Sequence, residues 1–401
     1  MEITWLILGC MAAFLVAWIN GANNAANAIG TAVGSRALDL RKALYLAATF
    51  DFIGAMLFGK FVSVTLLKGI VDTSVFNDPS IVVYGMISAL LATGIWVIVA
   101  TWFKIPMSIS QAIVGGVMGF GLATLGVGGI NWSKITAIIT AWLILPFMSA
   151  GIAMGLHKYL SKKFESLERK QLLLASDILM FTLVFSTTFL LCVKTLRASD
   201  LLWAIGITLL ASMIITVLYH IIVSKITPRE PVQARKTVFK VLLVVSAAAM
   251  AFSHGAHDVA NSAGPLAGVL YAVYKGGVPS GTITIPIEAL ALSAAGIAIG
   301  ILMWGQRVVE TIGEKITTLS TETAFTAQFA GSIATLIVTR LGLPVSSTIA
   351  IVGGVAGVGF ARGIESVNIR TLAKIMSWSF IAFPAVAGIA WGIFYLINIM
   401  I

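Results

Sequence analysis

Five side chains carry oxygen into stretches that are otherwise apolar. Asn23, Asn24 and Asn27 lie in Gly21-Ala-Asn-Asn-Ala-Ala-Asn-Ala-Ile-Gly30, and Asp258 and Asn261 lie in Gly255-Ala-His-Asp-Val-Ala-Asn-Ser-Ala-Gly264. Amide and carboxylate oxygens without nitrogen or sulfur ligands suit hard cations such as Na⁺. A second set suits anions. Pro106-Met-Ser-Ile-Ser-Gln111 and Pro344-Val-Ser-Ser-Thr348 each open an apolar run. Proline followed by Ser or Thr marks a helix start, where unpaired N–H groups and the positive dipole end attract anions. Ser108, Ser110 and Gln111 from one tip, and Ser346, Ser347 and Thr348 from the other, could grip a tetrahedral oxyanion such as phosphate. The alternative is structural: the hydroxyls only cap helices, and the amides only join helix to helix as polar glue. Asp258 fits that alternative least, because a buried carboxylate needs a counter-charge.

Such groups must be held at membrane depth. The chain has 401 residues, 59% hydrophobic and 10% charged, with a mean hydropathy of +1.00. Soluble domains carry roughly 25% charged residues, so this is a polytopic, all-α membrane protein. The formal charge of +10 reflects basic residues in short loops, not nucleic-acid binding. Cys10 and Cys192 form no metal or disulfide pattern. The first apolar run lacks a basic leader and reads as a retained helix. No P-loop, nucleophile elbow or His/Cys cluster is present in the sequence, which argues for a secondary transporter rather than an ATP-driven one or a soluble enzyme.

Apolar runs predict a segment at 3–35 broken at the first motif and a span at about 41–68. Two apolar arms follow at 81–125, then spans at about 133–157, 173–194 and 200–223. Beyond a basic linker come a broken segment at 238–273, a span at 284–312, two arms at 323–361 and a span at 371–399. Taking each two-armed unit as a re-entrant hairpin places 18 Lys and Arg in loops on one side and 4 on the other, the asymmetry of a cytoplasmic face. Both termini then lie outside. The hairpins enter from opposite faces, and the halves become inverted repeats with broken helices. The expected units are residues 1–157, a connecting pair of spans at 158–237, and 238–401. The motifs recur 234 positions apart, and the hairpin stretches share Pro, Ser and Ala-Ile-Val-Gly-Gly-Val 238 positions apart; Phe58-Gly59 also aligns with Trp304-Gly305.

Other ionisable groups are open at this level. Asp51 and Glu288 lie near span starts and either line the pathway or reach water; Lys60, Lys104 and Arg340 are candidate partners. His254 and His257 flank Asp258 and read as helix–helix hydrogen-bonding groups, with a proton relay as the alternative.

The doubled Gly-Ala-Asn-Asn and Gly-Ala-His-Asp signature resembles that of the inorganic phosphate transporter (PiT) family. Pro344-Val-Ser-Ser-Thr348, Phe50-Asp-Phe52 and Arg307-Val-Val-Glu310 resemble further family positions. The resemblance implies a cation-coupled phosphate symporter that uses Na⁺ or H⁺, with inverted repeats and both termini outside. It also implies phosphate at the tip Ser/Thr/Gln group and cations at the Asn/Asp motifs. Two departures stand out: Asn24 replaces a customary Asp, and Gln111 and Ile349 stand where the hairpins often carry His. The first removes a carboxylate that would balance two coupling cations; the second weakens proton coupling and, with the oxygen-rich amides, favours Na⁺ as the coupling ion. The expected protein is thus a Na⁺-coupled phosphate importer in the cell membrane, working by alternating access, without cofactor, as a homodimer. The rivals are an H⁺-coupled phosphate or sulfate permease on the same scaffold and a passive anion channel.

Overall fold

The computed structural model describes residues 3–61, 69–164, 166–195, 201–278, 285–339 and 344–400. These residues are helical almost throughout, as a lipid environment demands, because a helix satisfies its own backbone groups. In chain order the helices are α1 (Ile3–Gly34), α2 (Leu40–Phe58), α3 (Pro79–Trp102), α4 (Ile109–Leu125), α5 (Trp132–Phe164), α6 (Arg169–Thr195) and α7 (Leu201–Ile226). They continue as α8 (Pro231–Asp258), α9 (Ala260–Lys275), α10 (Ile287–Trp304), α11 (Gln306–Glu314), α12 (Thr321–Thr339), α13 (Ser347–Arg362) and α14 (Ile369–Met400). Among the described residues, eight helical stretches are long and apolar enough to cross a bilayer.

Local chemistry sets the boundaries. Asp78 caps α3 by accepting from Ser80 N–H, with Pro79 at the first helical position. Glu230 caps α8 through the N–H groups of Val232 and Gln233, ahead of Pro231. That cap starts α8 seven residues before the expected boundary at 238, so the connecting unit 158–237 ends inside a helix. Ser108 and Ser346 cap α4 and α13, accepting from the N–H groups of Gln111 and Ile349.

Two expectations are corrected. The first motif does not break its helix: α1 runs unbroken through Gly21–Gly30. That stretch has no proline, and its amides bond sideways to other helices, so burying them needs no interruption of the backbone. The second motif is interrupted only at Val259, which keeps right-handed helical angles (φ −55°, ψ −29°). The 284–312 span likewise divides at Gly305 into α10 and α11.

The two-armed units pair unequal arms. At 1.5 Å per residue α3 is about 36 Å long, enough to cross the hydrocarbon, whereas α4 and α13 are only about 26 and 24 Å. Residues 109–121 of α4 and 347–359 of α13 are buried, so both short arms begin inside protein.

Packing between the halves is reciprocal. α1 lies on α10 and α8 on α2; α4 lies on α14 and α13 on α5. The contacts match residue by residue. A Cβ on Gly21 would stand 2.0 Å from Ile297 O, and one on Gly255 would stand 1.9 Å from Asp51 O. Gly115 meets Phe383 O as Gly353 meets Pro146 O. At these crossings only glycine admits the neighbouring backbone. The α6–α7 pair lies at the periphery, with Leu202, Trp203 and Leu210 of α7 exposed, an apolar surface suited to lipid.

Candidate functional site

The motifs and both hairpin tips converge on one buried cluster. Asn24 of α1 donates from Nδ2 to Asp258 Oδ2 at 2.9 Å and to Asn20 Oδ1 at 2.9 Å. Asn20 Nδ2 in turn donates to the Asp258 backbone carbonyl at 3.1 Å. The last asparagine of each motif reaches the opposite half's hairpin. Asn27 Nδ2 donates to Ser347 Oγ (3.1 Å) and Thr348 Oγ1 (2.9 Å) at the start of α13. Asn261 lies 3.4–3.5 Å from Ser110 Oγ at the start of α4, at the outer limit of hydrogen bonding.

The tips also touch each other. Thr348 Oγ1 lies 3.0 Å from Met107 O of the first tip and 3.2 Å from Asn24 Oδ1, two acceptors for one hydroxyl hydrogen. Ser108 and Ser346 serve as caps, which leaves the N–H groups of Ile109, Ser110, Ser347 and Thr348 without partners inside their own helices. Ser108 N–H donates to Ser379 Oγ of α14 at 3.3 Å. Gln111 is fully buried, and among the described residues both polar atoms of its amide lack a hydrogen-bond partner, as does Asn27 Oδ1. A buried polar atom left unpaired costs about 1–3 kcal/mol, so these three atoms call for a partner from a ligand or from water.

Asn23 takes another part. Its Nδ2 donates to Thr101 Oγ1 and Ile105 O, and its Oδ1 accepts from Met107 N–H, each at 2.9 Å. Its amide is engaged in clamping the first hairpin tip to α1, unlike the amide of Asn24, which holds Asp258, and that of Asn27, which holds the second hairpin. Gln328 of α12 ties the second hairpin to α1 by donating to Ala28 O at 2.7 Å and by a short contact with the Thr31 hydroxyl.

Sequence reading left three participants unassigned. Asp51 and His254 are each 1% exposed at the side chain, with Asp51 Oδ1 2.6 Å from His254 Nδ1. His254 Nε2 lies 3.0 Å from Asp258 Oδ2, close but off the axis of a hydrogen bond. Asp51 therefore does not reach water, whereas Glu288 is exposed. His254 joins α8 to α2, as the helix–helix reading anticipated. Asn20 occupies the position 234 residues before His254, one step outside the quoted motif, so extending the repeat comparison by one residue would have found it. Arg340 lies outside the described residues.

Comparison with known proteins decides the family. The phosphate transporter family model matches residues 20–390. This chain belongs to the phosphate transporter family. The transporter is 36% identical to a Thermococcus kodakarensis protein named "Putative phosphate permease", over 99% of this chain and 98% of that one. It is 34% identical to the chloroplastic inorganic phosphate transporter 2-1 of Arabidopsis thaliana, over 94% of this chain and 69% of that one. A solved structure entitled "The sodium-dependent phosphate transporter" superposes with a TM-score of 0.93, at 36% identity, over 99% of this chain and all of the other. The family and these relatives are transporters, not enzymes, and this transporter's buried polar cluster lies within the matched residues.

Proposed function

We propose that this transporter carries inorganic phosphate into the cell together with Na⁺, by alternating access around the cluster where the hairpin tips meet. The observation that carries this reading is the Thr348 hydroxyl, which meets the first tip at Met107 O, Asn24 Oδ1 and the Asn27 amide at once. Phosphate is taken by the starts of α4 and α13, through Ser110, Gln111, Ser347 and Thr348, with Ser108 and Ser346 holding the helix ends in shape. Two helix N-termini aimed at one point favour an oxyanion. Na⁺ is taken by Asn24, Asn27, Asp258 and Asn261, with Asn23 positioning the first tip. A cation beside Asp258 offsets the charge of an incoming phosphate in a low-dielectric site. The structural neighbour is named as sodium-dependent, which supports this choice of ion.

The reciprocal glycine contacts support two inverted repeats, 1–157 and 238–401 in outline, exchanged by an axis in the membrane plane, with both termini outside. Alternating access then means that the two halves swap conformations around the site.

The test is labelled-phosphate uptake by purified protein in proteoliposomes, with an imposed Na⁺ or H⁺ gradient at matched ionic strength. Accumulation driven by Na⁺ and blocked by arsenate but not sulfate is the expected result. Accumulation driven only by H⁺ refutes the coupling ion, sulfate uptake without phosphate uptake refutes the substrate, and ohmic anion conductance without accumulation refutes symport.

A further inference from the structure

The two halves match at the glycine crossings but differ at one set of positions. Asp51, His254 and Asp258 form a continuous buried line from α2 into the centre of the site. Their counterparts in the other half are all neutral. Asp258 answers to Asn24 and His254 to Asn20, by the 234-residue offset of the motifs. Asp51 answers to Ile297, because each backbone carbonyl sits against the first glycine of the facing motif, Gly255 or Gly21. Three ionisable residues that appear together, and only in one of two matching places, act as a unit.

Asp51 makes that unit costly. Its side chain is 1% exposed, and its Oδ2 has no hydrogen-bond partner among the described residues. Burying a carboxylate this way is unfavourable unless its partner makes it worthwhile. That partner is His254. An imidazole carries two nitrogens on opposite edges of a rigid ring, so a carboxylate gripping one fixes where the other points. With Asp51 on Nδ1, Nε2 stands against Asp258 Oδ2, the same oxygen that accepts from Asn24 Nδ2. Asn24 thus hydrogen-bonds Oδ2 while the Nε2 edge of the imidazole stands 3.0 Å from it, and the two together limit the carboxylate's rotation. Oδ1 has no hydrogen bond among the described residues, and the Asp258 side chain keeps 8% exposure.

We propose that His254, anchored by Asp51, is a positioning residue for the cation site: it orients Asp258 and thereby sets the affinity for Na⁺ without touching phosphate. This rests on the Na⁺-coupled reading above. The division of labour is between two arms. Asn23 orders the first hairpin tip for the anion, and the Asp51–His254 arm orders the acid for the cation.

The test compares wild type with His254→Ala, His254→Gln, His254→Asn and Asp51→Asn in proteoliposomes. Two quantities are read: the Na⁺ concentration for half-maximal uptake at saturating phosphate, and the phosphate KM at saturating Na⁺. His254→Ala and Asp51→Asn are expected to raise the Na⁺ half-saturation tenfold or more, with phosphate KM within about threefold of wild type. His254→Gln, whose amide nitrogen can stand in for Nε2 beside Asp258, should restore more Na⁺ affinity than His254→Asn, which reaches only towards Asp51. A purely structural role predicts no such order. Unchanged Na⁺ half-saturation in the folded variants overturns the inference, as does a phosphate KM that rises in step with it, or equal behaviour of the Gln and Asn variants. A wild type that accumulates phosphate without Na⁺ dependence refutes the coupling ion and this inference with it. A Na⁺-dependent wild type beside unaltered variants refutes the role of His254 alone.

Discussion

Replacing Asn23 with Ala removes the clamp on the first hairpin tip without touching the residues assigned to either ligand. Three hydrogen bonds of 2.9 Å disappear. Thr101 loses little, because its hydroxyl still donates to Val97 O at 2.8 Å. The other two groups, Ile105 C=O and Met107 N–H, are backbone atoms in a non-helical stretch of buried residues, and the side-chain amide is what satisfies them. Leaving each unpaired costs about 1–3 kcal/mol, so the folded tip loses about 2–6 kcal/mol before water enters the space left by the amide. Taking about 3 kcal/mol after that relief, and about 1.4 kcal/mol per factor of ten, the ordered tip becomes roughly 100-fold less populated. Because the tip is a local unit, the loss should appear in phosphate KM and not in global melting. Phosphate KM at saturating Na⁺ should rise by one to two orders of magnitude, and backbone hydrogen exchange across 103–111 should accelerate. A KM within threefold of wild type, with unaltered exchange in that segment, refutes the clamp.

Thr348→Val keeps the shape of the side chain but removes the hydroxyl that accepts from Asn27 and faces Met107 O and Asn24 Oδ1; at about 1–3 kcal/mol for the orphaned partners, uptake affinities for both ions should fall about tenfold or more, with recovery in Thr348→Ser. Gly255→Ala places a methyl 1.9 Å from Asp51 O, and such overpacking costs about 1–3 kcal/mol; its melting temperature should drop and its Na⁺ affinity weaken, whereas Gly151→Ala, where a Cβ meets nothing within 4 Å, should be neutral or stabilising. Arg307 lies 4.8 Å from the ring centroids of both Trp102 and Trp304, beside the Thr311 hydroxyl that donates to Lys104 O at 2.8 Å. At about 0.5–1 kcal/mol per ring, Arg307→Gln should lower the melting temperature by a degree or two in a thermal-shift assay, and Arg307→Lys by less.

Most of the helical plan was legible because its causes are local. Apolar runs, Asp78-Pro79, Glu230-Pro231 and the Ser caps state their purpose within a few residues. The continuity of α1 was not legible, since what stabilises its buried amides lies far along the chain: Thr101 is 78 residues from Asn23, Asp258 is 234 from Asn24 and Thr348 is 321 from Asn27. Read alone, a run of asparagines in an apolar segment looks like a break. The same distance hid the Asp51–His254 pair, 203 residues apart, although each residue was already under suspicion. Residue types sufficed to nominate the members of the buried cluster. They could not separate Asn23, which holds a hairpin, from its neighbour Asn24, which holds the acid, because one residue along a helix turns the side chain by about 100°.

On the Na⁺-coupled reading proposed above, the cluster gives a reason for two ions to travel together. Neither half supplies a complete site: Asn27 belongs with Ser347 and Thr348 of the other half, Asn261 with Ser110, and Asn24 with its own counterpart, Asp258. The Thr348 hydroxyl has one hydrogen to give to either Asn24 Oδ1 or Met107 O. A cation drawn to Asn24 Oδ1 repels that hydrogen and turns it to Met107 O, which ties the start of α13 to the first tip and so assembles the anion cradle. Phosphate in the cradle in turn lowers the cost of the cation beside it. Each ligand favours the arrangement the other needs, and such coupling is reciprocal, typically about 1–3 kcal/mol. Where that sharing of one hydroxyl is lost, as in Thr348→Val, Na⁺ and phosphate should still bind, but the tenfold or greater mutual enhancement of their affinities should collapse towards the purely electrostatic remainder, and a variant that keeps the full enhancement would show that the coupling runs through some other contact.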